Sequence, residues 1–140
     1  KFKPVDSALR FETWEQNVAC VLGLKETIKY ANNIGLDKIW EYNQEILFYL
    51  KNKFSRISGM NILDQGSKLA SILTFQIENK DKQHTINTLE QNNVYFSVAV
   101  RGSALIDFDK KGKDWAIRLS PHYFNTREEV DQLVEIIRSI

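Results

Sequence analysis

The stretch "WAIRLSPHYFNTREEVDQLVEII" spans residues 115–137, and its first five residues pose the problem on which the fold turns. Trp115-Ala116-Ile117-Arg118-Leu119 is a strand-forming, largely apolar run that nonetheless holds an arginine. A buried guanidinium without a partner is too costly to stand there by default, so Arg118 needs an anion. Further on, Thr126 is followed three residues later by Glu129, the capping-box spacing in which each side chain satisfies the other residue's backbone N–H. Val130, Leu133, Val134 and Ile137 then recur at helical intervals. A strand, a short loop and a capped amphipathic helix are therefore predicted to close the chain.

Working backward, "VYFSVAV" (94–100) alternates β-formers and predicts a second strand, parted from the last one by the excursion "RGSALIDFDKKGKD" (101–114). "KLASILTFQIE" predicts a strand from about Leu69 to Ile77, with a shorter one at "MNIL" (60–63). Between them "DKQHTINTLEQNN" (81–93) predicts a short helix ending at Asn-Asn. Near the start, Trp14, Val18, Val21, Leu22, Leu24 and Ile28 form a helical stripe that stops at "NNIG". Asp37 then caps a second helix carrying Ile39, Trp40, Tyr42, Ile46, Leu47, Leu50, Phe54 and Ile57, before "SGM" ends it. This order predicts an α+β fold, a small and mainly antiparallel sheet with helices packed on one face. One domain over residues 1–140 is expected, with 1–13 as a lead-in segment and no internal repeat or linker.

Composition narrows the function classes. A formal net charge of +1 gives no field to gather nucleic acid or an anionic membrane, so neither is an expected partner. Tyr95 and Phe96 are adjacent and point to opposite faces of a strand, which weakens an RNA-stacking reading. Cys20 is the sole cysteine, which excludes an intrachain disulfide and fits the reducing cytoplasm; it is expected to serve as a small buried hydrophobe. With His84 and His122 far apart and no clustered ligands, no metal site is expected. The start "KFKPVDSALRF" has neither an initiator Met nor a signal-peptide core, and reads as a cut inside a longer protein.

Two long motifs carry a resemblance. "RFETWEQNVACVLGLKETIKYANNIGLDKIW" (10–40) resembles the segment entering the C-terminal domain of aminotransferase class V enzymes, and in particular their isopenicillin N epimerase-like branch, related to cysteine desulfurases. "RLSPHYFNTREEVDQLV" (118–134) is similar to that family's closing signature. "VYFSVAVRGSALIDF" (94–108) is more loosely like the strand and loop that carry substrate-side contacts. The resemblance implies the C-terminal small domain of a fold type I pyridoxal-phosphate enzyme acting on an amino acid, in a parent that is a homodimer. It also implies a role for Arg118, because the arginine of the closing motif binds the substrate α-carboxylate. A planar guanidinium suits this, gripping a carboxylate through two parallel hydrogen bonds. The alternative for Arg118 is an internal salt bridge to Glu12 or Asp107.

The departures matter as much. In cysteine desulfurases a nucleophilic cysteine lies between the last strands, whereas "SVAVRGSALIDFDKKGK" contains none, so desulfurase chemistry is disfavoured. Those enzymes also carry a Gly-Thr pair that reaches the cofactor phosphate; here Trp14 and Glu15 stand in its place and are expected to pack and start the helix. The family's Schiff-base lysine belongs to a large domain upstream, and Lys110, Lys111 and Lys113 are expected in a solvated loop. No catalytic residue and no cofactor-binding residue are assigned to this chain, and the isolated chain is predicted to be inactive and free of pyridoxal phosphate. The missing large domain and an amino-acid substrate are the expected partners. His122, Ser97 and Arg101 join Arg118 as candidate substrate contacts. A free-standing ligand-binding or regulatory module, with Arg118 holding an anionic effector, is the alternative.

Overall fold

The structure, a computed structural model, describes residues 3–12 and 15–140. Trp14, the first residue of the expected helical stripe, lies outside the described residues. The chain divides into two compact units, residues 1–36 and 37–140. In the first, a 3-10 turn (Ala8–Phe11) precedes α1 (Val18–Ile34). The Asn17 side chain accepts from the Cys20 N–H at 3.1 Å and caps the helix, and Gly35, at φ 100°, ends it. Cys20 sits in this first turn and is exposed, which corrects the expectation of a buried thiol.

The second unit is built on a four-stranded antiparallel sheet. Helix α2 (Leu36–Phe54) leads to β1 (Met60–Ile62) and β2 (Leu73–Ile77). Helix α3 (Lys82–Gln91), β3 (Ser97–Val100), α4 (Leu105–Lys111), β4 (Trp115–Leu119) and α5 (Arg127–Arg138) follow. The strand order is β1-β2-β4-β3, so β2 and β4 are central. Strand β2 alternates strictly: Leu73, Phe75 and Ile77 are buried, and Thr74 and Gln76 face the other way. Strand β4 turns Ile117 and Leu119 to the same core, where they pair with Phe75 and Leu73, while Ala116 is buried on its other face.

Against this apolar face pack Ile46, Leu47, Leu50 and Phe54 of α2, Leu89 of α3, and Val130, Val134 and Ile137 of α5. Phe54 and Phe75, both 0 % exposed, meet edge to face at 5.0 Å. The predicted antiparallel sheet is thus present, with α2, α3 and α5 packed on one face. At the surface Tyr49 of α2 donates to both carboxylate oxygens of Asp131 on α5, at 2.9 and 3.0 Å, and Lys53 pairs with Asp131 at 2.8 Å.

Several boundaries differ from expectation. Strand β3 begins at Ser97 rather than Val94, and α2 begins at Leu36, which puts Asp37 in its first turn rather than at its cap. Strand β2 begins at Leu73 rather than Leu69, because the preceding residues turn: the Ile72 N–H donates to the Ala70 carbonyl and the Ser71 hydroxyl to the Pro121 carbonyl. Ile57 lies beyond the end of α2, in the turn that Gly59 completes at φ 74°. The excursion after β3 is not a solvated loop: Lys110 and Lys111 lie on α4, whose Phe108 is buried with Leu63, Ala116 and Ala99. Since Ala116 and Ile117 are neighbours on β4, α4 covers the sheet face opposite the main core.

Phe75 fills the centre of the core, so Phe75→Ala should lower the unfolding free energy by about 3–5 kcal/mol. A denaturant titration showing a loss below about 1 kcal/mol would contradict this placement of Phe75.

Candidate functional site

Alternation on β4 places Arg118 on the face away from the main core, where it is exposed. Its cross-strand partners are Thr74 on β2 and Ser97 on β3, so the three side chains form a row across one face. Among the described residues the Arg118 side chain makes no hydrogen bond and no ion pair. Asp107, one of the two acids weighed as its partner, is bound to Lys111 at 2.7 Å instead. Thr74 in turn is held by Asp64, which accepts from its backbone N–H and, at 3.1 Å, from its hydroxyl. Thr74 and Asp64 were not singled out from the sequence. The alternation of "LTFQI" is the signal that puts Thr74 on this face, but nothing local ties Asp64 to it.

The loop after β4 is fastened from several sides. Tyr42 of α2 donates to the Asn125 carbonyl at 2.9 Å, and Ser71 to the Pro121 carbonyl. Within the loop the Asn125 side chain accepts from the His122 N–H at 2.9 Å, and the Asn125 N–H donates to the His122 carbonyl at 2.8 Å. The capping box forms as predicted: Glu129 N–H donates to Thr126 Oγ1 at 3.2 Å, and Thr126 N–H to Glu129 Oε2 at 3.0 Å. Together these hold the segment that leaves β4 just beyond Arg118.

The other sequence-predicted residues divide. Ser97 stands beside Arg118, in register. His122 is half-buried four positions on, its ring against Tyr123 and Phe124 and its buried Nδ1 without a hydrogen-bond partner. Arg101 follows the other end of β3, where its N–H donates to the Asp114 carbonyl, roughly 13 Å along the ladder from Arg118. Its guanidinium is engaged by Asp109 at 2.5 and 3.0 Å. That double hydrogen bond holds the Asp109 carboxyl below its ordinary range and raises Arg101. A groove of about 310 Å³ lies on the helix side, between α5, Asn93 to Tyr95 and Pro121; neither Arg118 nor Ser97 lines it. Among the described residues there is no group of three or more metal-ligating side chains, and no helix is long and apolar enough to cross a membrane.

Residues 3–133 match the aminotransferase class-V family. The chain belongs to that family. It is 32 % identical over 137 residues to a Borreliella burgdorferi protein named "Probable cysteine desulfurase", covering 96 % of this chain and 32 % of that one. A Staphylococcus aureus protein of the same name is 28 % identical over 137 residues, covering 95 % of this chain and 32 % of its own length. Among solved structures, the apo cysteine desulfurase of Thermococcus onnurineus superposes with a TM-score of 0.83 at 20 % identity, over 99 % of this chain and 34 % of that one. This class V chain therefore spans about a third of the length of these relatives.

The class V family is a pyridoxal-phosphate family, so the residues present can be tested for a fit to that cofactor. An amine that condenses with its aldehyde must be desolvated or otherwise depressed in pKa. No lysine among the described residues is buried; five are partly covered, Lys51, Lys53, Lys82, Lys111 and Lys113, and of these Lys53 and Lys111 are ion-paired to Asp131 and Asp107. The Lys53 pKa is raised, chiefly by its hydrogen bond to Asp131, the opposite of what that chemistry needs. The described residues do not fit the cofactor's reactive end. They fit a carboxylate, at Arg118.

Glu129 carries a testable pH dependence. Its carboxyl is held below the ordinary glutamate value, first by the Thr126 backbone N–H and then by Asn125. A depressed folded-state pKa contributes stability that is present above the unfolded value, about 4.3, and lost as pH falls through the folded one. Glu129→Gln keeps the box geometry but removes the charge. The variant's denaturant midpoint should therefore fall less steeply than the parent's as pH drops below about 4.3. Parallel acid limbs would contradict this.

Proposed function

We propose that this chain is the C-terminal, substrate-side domain of a pyridoxal-phosphate enzyme that acts on an amino acid, with Arg118 gripping the α-carboxylate. The observation that carries this reading is the exposed, unpaired guanidinium on the face of a central strand turned away from the main core, flanked in register by the hydroxyls of Ser97 and Thr74. A guanidinium presents parallel donors, so a carboxylate bound there is oriented as well as held. In such an enzyme the cofactor and its lysine come from an N-terminal large domain, and the working form is a cytoplasmic homodimer. His122 contributes as a neighbour of the Arg118 strand end, and Arg101 only if it leaves Asp109.

The relatives' printed names raise desulfurase chemistry for this chain. Against it stands the composition of the site unit: no cysteine occurs between Ser97 and Leu119, and Cys20 lies on α1. A thiolate is the nucleophile that sulfur transfer requires. We therefore place the protein with enzymes that rearrange bonds at the amino-acid Cα, as in the isopenicillin N epimerase-like branch. The Trp14-Glu15 pair that favours this branch lies partly outside the described residues.

In the full-length protein, Arg118→Ala should weaken amino-acid binding by about 2–5 kcal/mol, while the intensity of the cofactor's absorbance band is unchanged. The denaturant midpoint of the 140-residue chain should barely move, since no ion pair is broken. Amino-acid titrations that are insensitive to Arg118→Ala would sink the assignment. Stoichiometric sulfide release from cysteine would overturn the choice of branch.

A further inference from the structure

One acid on the Arg118 face has no role in the reading above. Asp64 follows β1, and the Thr74 hydroxyl donates to its Oδ1 at 3.1 Å while the Thr74 N–H donates to its Oδ2. Thr74 is the cross-strand partner of Arg118, so Ser97, Arg118, Thr74 and Asp64 form one row running from β3 to the end of β1. Among the described residues Asp64 makes no ion pair, and neither does Arg118. The face thus offers an unpaired cation and an unpaired anion separated by one strand. With strands about 4.8 Å apart, the backbones carrying these two charges lie roughly 10 Å apart. The Thr74 bonds bring the Asp64 carboxylate to the strand next to Arg118, so one amino acid can meet both charges, its carboxylate at Arg118 and a terminal cation at Asp64.

We propose that Asp64, oriented by Thr74, reads the substrate side chain: it favours an ammonium or guanidinium and disfavours a second carboxylate. This rests on Arg118 holding the α-carboxylate. Thr74 enters as a positioning residue, because its two donors fix both carboxylate oxygens while each oxygen keeps a further lone-pair direction for a ligand. Like-charge repulsion supplies the rejection and opposite charge the selection, the two components from which specificity is built. The competing role for Asp64 is local: sealing the Thr74 N–H where β1 ends.

The test measures dissociation constants of the full-length protein for lysine, norleucine and glutamate by calorimetry. Norleucine has the length of lysine without its charge, so the ratio of the two isolates side-chain reading from carboxylate binding. The parent should bind lysine best and glutamate worst. Asp64→Asn should cost lysine about tenfold, leave norleucine within about twofold and improve glutamate, with the lysine effect shrinking in high salt. Thr74→Val, which keeps the acid and removes one of its anchors, should give a smaller loss in the same direction. If Asp64→Asn lowers the denaturant midpoint while the lysine-to-norleucine ratio stays constant, Asp64 is only a local seal and the proposal fails. Arg118→Ala separates the two layers of the argument. Equal weakening of all three ligands supports the carboxylate grip whatever Asp64 does, and no change in any of them overturns that grip.

Discussion

The period-2 alternation of β4 governs the molecule, because this central strand is bonded on both sides and each of its faces has a different task. Ile117 and Leu119 enter the helix-covered core, and Ala116 meets Phe108 of α4 on the other face. Arg118 therefore points away from the core without breaking the strand. A register slip of one residue would bury the guanidinium among Phe75, Leu50 and Val134 and expose Ile117. Since an unpaired buried charge costs several kcal/mol and each exposed aliphatic forfeits about 1.5–3 kcal/mol, the observed register has no near competitor. The arginine that looks anomalous in the sequence helps to enforce the fold that displays it.

That register would position nothing if the end of β4 were loose. Rigidity there comes from outside the strand. Tyr42 and Ser71 bond the carbonyls of Asn125 and Pro121, and the reciprocal His122–Asn125 bonds lead directly into the Thr126–Glu129 box. Helix α2 is thus tied to the loop by Tyr42 and to α5 by Tyr49 and Asp131. In the proposed reading, a carboxylate-binding arginine loses affinity if its backbone wanders by even an ångström, and these bonds hold the backbone just beyond Arg118 in place.

How much was legible in the sequence follows from the range of the signals. Helix α5 and strand β4 are legible because a capping box and a short, largely apolar strand-forming run are local signals. Helix α4 is not: with seven residues and a single buried side chain, Phe108, it offers too short a pattern to separate from a charged excursion. The start of β2 was overextended because the apolar residues Leu69, Ala70 and Ile72 resemble strand, while the turn at Ala70 to Ile72 and the Ser71–Pro121 bond are tertiary facts. For the site, Arg118 is visible as an unexplained charge, and Ser97 only through the family resemblance. The pairing that aligns them with Thr74, and the reach of Asp64 across to Thr74, exist only once the sheet has formed.

An unpaired arginine on an open face also couples binding to enclosure. While exposed, the Arg118 guanidinium is satisfied by water and costs the fold nothing. If a second domain or subunit covers the face, that hydration is removed and the uncompensated charge becomes unfavourable by several kcal/mol. A carboxylate arriving with the ligand cancels the penalty, so the covered state is stabilised by differential affinity, the only route by which a ligand can shift such an equilibrium. A neutral amine or an alcohol of the same shape would leave the penalty in place. Discrimination in favour of carboxylates would then exceed what two exposed hydrogen bonds can supply, because the rejected ligand loses the bonds and also prevents the face from closing over them.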